Sequence, residues 1–198
     1  MLRKLLIYVS LFILVVLSVV IYNYKTHATF PSASFAIKVT PWQPTRLQIP
    51  SLHIDAPVMG VGATASGQMD APVSSAINSP YWTSVFWYAP GVAPGQAGNA
   101  VVAGHVDRAG GGPAVFWSLA TLRAGDSVFV QTRDRHTLTF VVEHMVKYTS
   151  DAPERDVLQA VFGPTTEHHL NLITCSGAWT GQGYDERLVV FTTQVNGS

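Results

Sequence analysis

The fold class that this sequence predicts is mainly β, an eight-stranded barrel with one or two short helices behind an N-terminal transmembrane helix. Three observations predict it. Short runs rich in Val, Ile, Leu and aromatic residues recur from Arg46 to the C-terminus, and Gly and Pro punctuate them. Eight such runs fit into about 150 residues, a number and spacing suited to a closed or nearly closed barrel. Ahead of them lies an apolar stretch of a different kind, unbroken by charge.

That stretch runs from Leu5 to Tyr22, 18 residues interrupted only by Tyr8, Ser10 and Ser18. As a helix it would be roughly 27 Å long, close to the bilayer hydrocarbon thickness. A cleaved secretory signal usually has an apolar core of about 7–15 residues and ends at small residues. Here Tyr22-Asn23-Tyr24-Lys25 follows, an interfacial sequence, so the segment reads as an uncleaved anchor. Arg3 and Lys4 precede it, which places residues 1–4 in the cytoplasm and everything from Lys25 onward outside. Residues 25–44, with Pro31, Pro41 and Pro44 among Ser, Thr and Ala, read as an extracytoplasmic linker, and 45–198 as the folded domain.

The predicted strands are 45–49, 56–61, 85–89, 99–105, 126–132, 136–148, 169–175 and 187–193. Pro113 and Pro153 each stand at a first-turn position, so PAVFWSLATL and PERDVLQAVF read as short helices. The composition, 47% hydrophobic and 12% charged, is apolar enough for a packed core. Twelve basic and twelve acidic residues cancel, which excludes the basic footprint of a nucleic-acid binder.

The chain has one cysteine, Cys175, so no internal disulfide can form in an oxidising space. The thiol is either an inert packing group or a reactive one. Cys175 closes the run LNLIT, Arg187 opens RLVVFT, and the eleven residues between them include Gly177, Gly181 and Gly183. Two antiparallel strands joined by a flexible loop would bring Cys175 and Arg187 to one rim. His105 likewise ends its strand, with Asp107 and the segment AGGGP just beyond. Each residue alone has an ordinary structural explanation, Asp107 as a turn carboxylate included. Together they supply the three roles of thiol acyl transfer: a sulfur nucleophile, an imidazole that moves protons, and a fixed cation for the oxyanion. His168 and His169 are adjacent and would point to opposite faces of a strand, while His53, His136 and His144 are dispersed, so no metal site is expected.

The local sequences around these residues resemble the sortases. LNLITCSG resembles their nucleophile strand, NAVVAGHVD their histidine strand and RLVVFT their arginine strand, and GPAVFWSLATLRAGD matches the segment between the first two. The resemblance runs from about Arg46 to Thr193 in the family's order. It implies a sortase-type barrel in which Cys175 attacks the Thr–Gly bond of an LPxTG-like sorting signal on a secreted protein. It also implies His105 as general acid and base, Arg187 as donor to the oxyanion and substrate carbonyls, and an amine acceptor such as a peptidoglycan precursor. The setting would be a Gram-positive-type cell surface. Calcium-using members bind the ion through acidic residues before the histidine strand. The corresponding PGVAPGQAG has none, so neither calcium nor any other cofactor is expected. Pilus-building members often carry an Asp-Pro-aromatic lid; here Pro41-Trp42 has no Asp before it. The short barrel and WYAPG are most similar to class F, with class E as nearest competitor, and segment 150–168 matches the loop that helps choose the sorting signal. An L,D-transpeptidase would place Ser-His-Gly before the cysteine, where this chain has Leu172-Ile173-Thr174. A non-catalytic surface-anchored binding module would leave the joint placement of His105, Cys175 and Arg187 to chance.

Overall fold

Alternation of apolar and polar residues is what closes this chain on itself. In the computed structural model, which describes residues 40–195, eight strands form one closed barrel. They are β1 (Pro44–Ile49), β2 (Ile54–Val61), β3 (Val85–Tyr88), β4 (Gly98–Gly104), β5 (Ser127–Thr132), β6 (Thr137–Thr149), β7 (His168–Trp179) and β8 (Tyr184–Val195). The order around the barrel is β1-β2-β3-β4-β7-β8-β6-β5, with β5 pairing β1 to complete the ring. Two pairs, β2–β3 and β4–β7, are parallel and the rest antiparallel. The β4–β7 pair decides the site, because it joins strands more than sixty residues apart.

Every second residue of each strand faces inward. Leu47, Ile49, Val102, Val130, Phe140, Leu172 and Val190 meet in the barrel interior, none more than 1% exposed. A smaller cluster lies on the outer face, where Val101, Val189 and Ile173 pack against Val157 and Val161 of the one described α-helix, α1 (Glu154–Phe162). Helix α1 is latched by two asparagines. Its last carbonyls have no partner within the helix. Asn171, fully buried on β7, donates from Nδ2 to the Val161 carbonyl at 2.8 Å, and Asn99 donates to the Gly163 carbonyl at 2.7 Å. Asn171→Ala would leave the Val161 carbonyl buried without a donor. A loss of about 1–3 kcal/mol in unfolding free energy is expected by urea titration.

All eight predicted strands are present, with limits shifted by no more than two residues outside the β7–β8 region. The helix at Pro153 is present, beginning at Glu154. The helix at Pro113 is not: only the 3-10 turn Leu119–Thr121 forms there. The backbone donors that a helix would use are taken elsewhere. Ala114 N donates to the Val106 carbonyl, Val115 N to Trp82 and Phe116 N to His105, at 3.1, 2.8 and 2.9 Å. These bonds fasten the segment to the chain just after β4 and to Trp82 ahead of β3, in place of a helical turn. The apolar run Leu5 to Tyr22 lies outside the described residues, among which no helix is long and apolar enough to cross a membrane.

Candidate active site

Strand register places the three chemically loaded residues in one row. Cys175 of β7 pairs directly with Arg187 of β8. On its other side β7 runs parallel to β4 with Ala103 opposite Ile173. The two chains continue side by side past that pair, since Thr174 Oγ1 donates to the Gly104 carbonyl at 2.9 Å. Two residues beyond the Ala103–Ile173 pair, His105 is level with Cys175. In-register neighbours share a face. Thr174 and Leu188, the neighbours of Cys175 and Arg187, are buried at 4% and 3%. The row therefore lies on the outer face of the barrel.

The positions differ from the expected strand ends. Cys175 lies inside β7 and Arg187 inside β8, and only His105 follows the end of its strand. The anticipated eleven-residue loop is instead a continuation of both strands to Trp179 and Tyr184, with a register shift between Ser176 and Trp179. Thr180 closes the turn, its N and Oγ1 both donating to the Gly183 carbonyl at 2.9 and 2.7 Å. At Gly177 φ is +82°, and an added Cβ would strike the carboxylate of Asp185, which accepts from Ala178 N at 2.7 Å. Glycine here lets the chain bulge without pushing that carboxylate away.

His105 is fixed from three sides. Its Nε2 lies 2.9 Å from the Pro72 carbonyl, in the long connection between β2 and β3. A carbonyl only accepts, so Nε2 carries a proton there and Nδ1 is the nitrogen available to exchange one. The rings of Trp82 and Phe86 meet the imidazole edge-on, with centroids 5.0 and 5.4 Å away. Gly104 stands just before His105, and a Cβ on it would enter the ring of buried Phe116. No hydrogen bond joins His105 to Cys175 among the described residues, so their proton exchange needs substrate or a small ring movement.

Cys175 is half-buried, and burial pushes its thiol above the ordinary range. The Arg187 charge works against that shift and the Asp107 charge adds to it. Iodoacetamide should therefore alkylate Cys175 more slowly at neutral pH than an unperturbed thiol, because less thiolate is present. Its rate should keep rising above the pH at which a free cysteine levels off. Arg187→Gln is expected to move this profile to higher pH and Asp107→Asn to lower pH. Unchanged profiles in both variants would show that neither charge reaches the sulfur.

Arg187 is exposed, and its Nη1 donates to the carbonyls of Tyr184 and Glu186 at 3.0 and 2.9 Å. One arm of the guanidinium is thus spent on holding the fork still, and its remaining N–H groups are available beside Cys175. Asp107 is more than a turn residue. Its Oδ2 accepts from the Tyr184 hydroxyl at 2.8 Å, which ties the loop after β4 to the β7–β8 hairpin. That hydrogen bond, with some burial, raises the Tyr184 pKa and keeps the phenol a donor. Sequence reasoning did not single out Tyr184, because nothing near it in the chain announces a partner 77 residues away. Beside Cys175, Val106, Phe116, Trp117, Gly177 and Tyr184 line a groove of about 350 Å³.

The other histidines lie elsewhere. His168 and His169 bond separately, to Gly95 and to Thr193 with Glu167; His136 bonds Asp134, and His144 stacks on Phe191. Among the described residues no three His, Cys, Asp or Glu side chains come together as metal ligands.

Residues 47–195 match the model of the sortase domain, so the chain belongs to the sortase family and is a cysteine transpeptidase. The fold agrees with solved structures of low sequence identity. Sortase C1 of GBS pilus island 1 superposes with a TM-score of 0.56 at 17% identity, over 77% of this chain and 64% of that one. Sortase C-1 from Actinomyces oris gives 0.56 at 21% identity, over 77% and 73%. The Clostridium perfringens sortase D5 transpeptidase gives 0.55 at 15% identity, over 78% and 79%. No curated relative matches the chain.

Proposed function

We propose that this sortase cleaves an LPxTG-like sorting signal on secreted proteins and transfers the acyl group to an amine of the cell wall. The observation that carries the reading is the row His105, Cys175, Arg187 across β4, β7 and β8. Cys175 is the nucleophile. Its sulfur attacks the Thr carbonyl of the signal, and the thiol proton passes to His105 Nδ1. Arg187 donates to the resulting oxyanion and to neighbouring substrate carbonyls. As the tetrahedral carbon collapses, the C–N bond breaks and His105 returns the proton to the leaving amine, which leaves a thioester on Cys175. The acceptor amine then attacks, His105 takes its proton, the new amide forms and sulfur departs.

Helix α1 lies in segment 150–168 and presents exposed Leu158 and Phe162 beside the outer face of β4 and β7. This apolar surface suits the Leu and Pro of a sorting signal. The WYAPG segment and the short barrel favour class F, with class E as the alternative subclass. The test is incubation of the protein with a library of LPxTG-type peptides and amine nucleophiles, read by mass spectrometry. Products joined at Thr to an amine support the reading; cleavage after an unrelated residue, or none, contradicts it.

The apolar run behind Arg3 and Lys4 supports membrane anchoring with the barrel outside. A reporter fused after Ser198 should be active only outside the cytoplasm, and the mature protein should retain Met1 or Leu2. A soluble product beginning near Ala28 would show cleavage instead.

A further inference from the structure

Trp82, which packs against the imidazole, also lines a second cavity, of about 530 Å³, that the thioacyl chemistry does not use. Ile54, Ile77, Trp82 and Pro113 give it apolar walls, and Arg108 supplies its charge. The size is that of a small-ligand site. Arg108 Nε is buried and has no hydrogen-bond partner, and the residue forms no ion pair among the described residues. The nearby carboxylates are committed elsewhere. Asp55, on the cavity lining, pairs with Arg46, and Asp107 accepts from Tyr184.

The loop after His105 turns back so that Gly112 lies against this guanidinium. Arg108 N donates to the Gly112 carbonyl at 3.1 Å, and Gly111 N donates back to the Arg108 carbonyl at 2.9 Å. Gly110, Gly111 and Gly112 have φ of +81°, +85° and +99°, a left-handed run that only glycine sustains easily. A Cβ on Gly112 would lie 3.3 Å from Arg108 Nε. Nε itself is closed off against Gly112, but the Nη groups are not buried and have no hydrogen-bond partner among the described residues, and an oxyanion in the cavity is the group that completes them.

We propose that this cavity binds an anionic group, a carboxylate or a phosphate, carried by the amine acceptor. The proposal rests on the acyl-transfer reading above. Trp82 forms a wall of the cavity and also packs against His105, so one indole separates the two sites. Strand β4 has β3 on one side and β7 on the other, which puts the cavity and Cys175 on opposite flanks of His105. An acceptor anchored at Arg108 would carry its amine across the imidazole that must deprotonate it, toward the thioester.

The test uses the full chain in detergent, acylated by a sorting-signal peptide. The acceptors are an oligoglycine series, each length as free acid and as C-terminal amide, with ω-aminoalkyl phosphates of matched length. At the length that spans the two sites, the anionic acceptor should have a KM about tenfold below that of the amide. Arg108→Gln should remove this difference and leave peptide cleavage unchanged, and Arg108→Lys should keep part of it. An advantage confined to the acids identifies a carboxylate subsite, and one confined to the phosphates a phosphate subsite. Equal KM for acid, phosphate and amide at every length overturns the proposal, as does an unchanged preference in Arg108→Gln. A second readout separates this proposal from the reaction itself. The Arg108 Nη–H resonances should move on titration with triglycine or an aminoalkyl phosphate and not with triglycinamide, whether or not transfer occurs. No movement with any anion overturns the anion site. Movement without any transfer contradicts the acyl-transfer reading alone.

Discussion

Cys175→Ala is expected to abolish both peptide cleavage and transfer, lowering kcat by at least about 10⁴-fold, the scale of losing a nucleophile that acts as one unit with its base. The chain has no second sulfur nucleophile to substitute. The fold should be kept, because Cys175 is only half-buried on the outer face. Its neighbour Thr174 still bonds Gly104 across the β4–β7 pair, and Leu172 still packs in the barrel. Steady-state assay of transfer with a thermal melt as control reads both. Full turnover by a folded Ala variant would make Cys175 a packing residue.

Arg187→Lys separates geometry from charge and is expected to lower kcat by roughly 10²–10³, the loss of one well-placed oxyanion donor, or about 3–4 kcal/mol. Lysine keeps the positive charge. It replaces a planar fork, which Arg187 steadies on the carbonyls of Tyr184 and Glu186, by one ammonium on a flexible stem. Arg187→Ala should fall at least as far. Stability should change little, since the side chain is exposed. A folded Lys variant within about threefold of wild type would contradict a directed donor and leave only a distant charge. KM should move less than kcat in both variants, because the donor acts mainly once the oxyanion has formed.

The strands were legible because their signal is local. Leu47 and Ile49, or Leu170 and Leu172, alternate with their neighbours within a few residues, and that alternation survives into the barrel wall. Cys175, His105 and Arg187 were legible because rare side chains stood beside such runs. What surrounds them was not. The Pro72 carbonyl reaches His105 across 33 residues, and the bond from Tyr184 to Asp107 spans 77. Neither contact leaves a pattern in the chain between. The segment from Pro113 shows the opposite failure. Its composition suits a helix, yet donors of Ala114, Val115 and Phe116 find better-placed acceptors on Val106, Trp82 and His105. The β7–β8 hairpin is longer than its sequence suggests, because Gly177, Gly181 and Gly183 have the composition of a loose loop. Gly177 and Gly181 have positive φ, and they serve a bulge and a tight turn that let the strands run on.

The central claim is that one row of three residues forms a thioacyl-transfer site, and its most direct measurement is mass spectrometry of the enzyme quenched in acid during turnover of a sorting-signal peptide. A mass increase equal to the acyl fragment should map to Cys175, disappear on treatment with hydroxylamine, and fail to form in Cys175→Ala. With an amine acceptor added, the adduct should decline as the transfer product rises. Turnover that proceeds with Cys175 unmodified, or with the acyl group on another residue, would contradict the account.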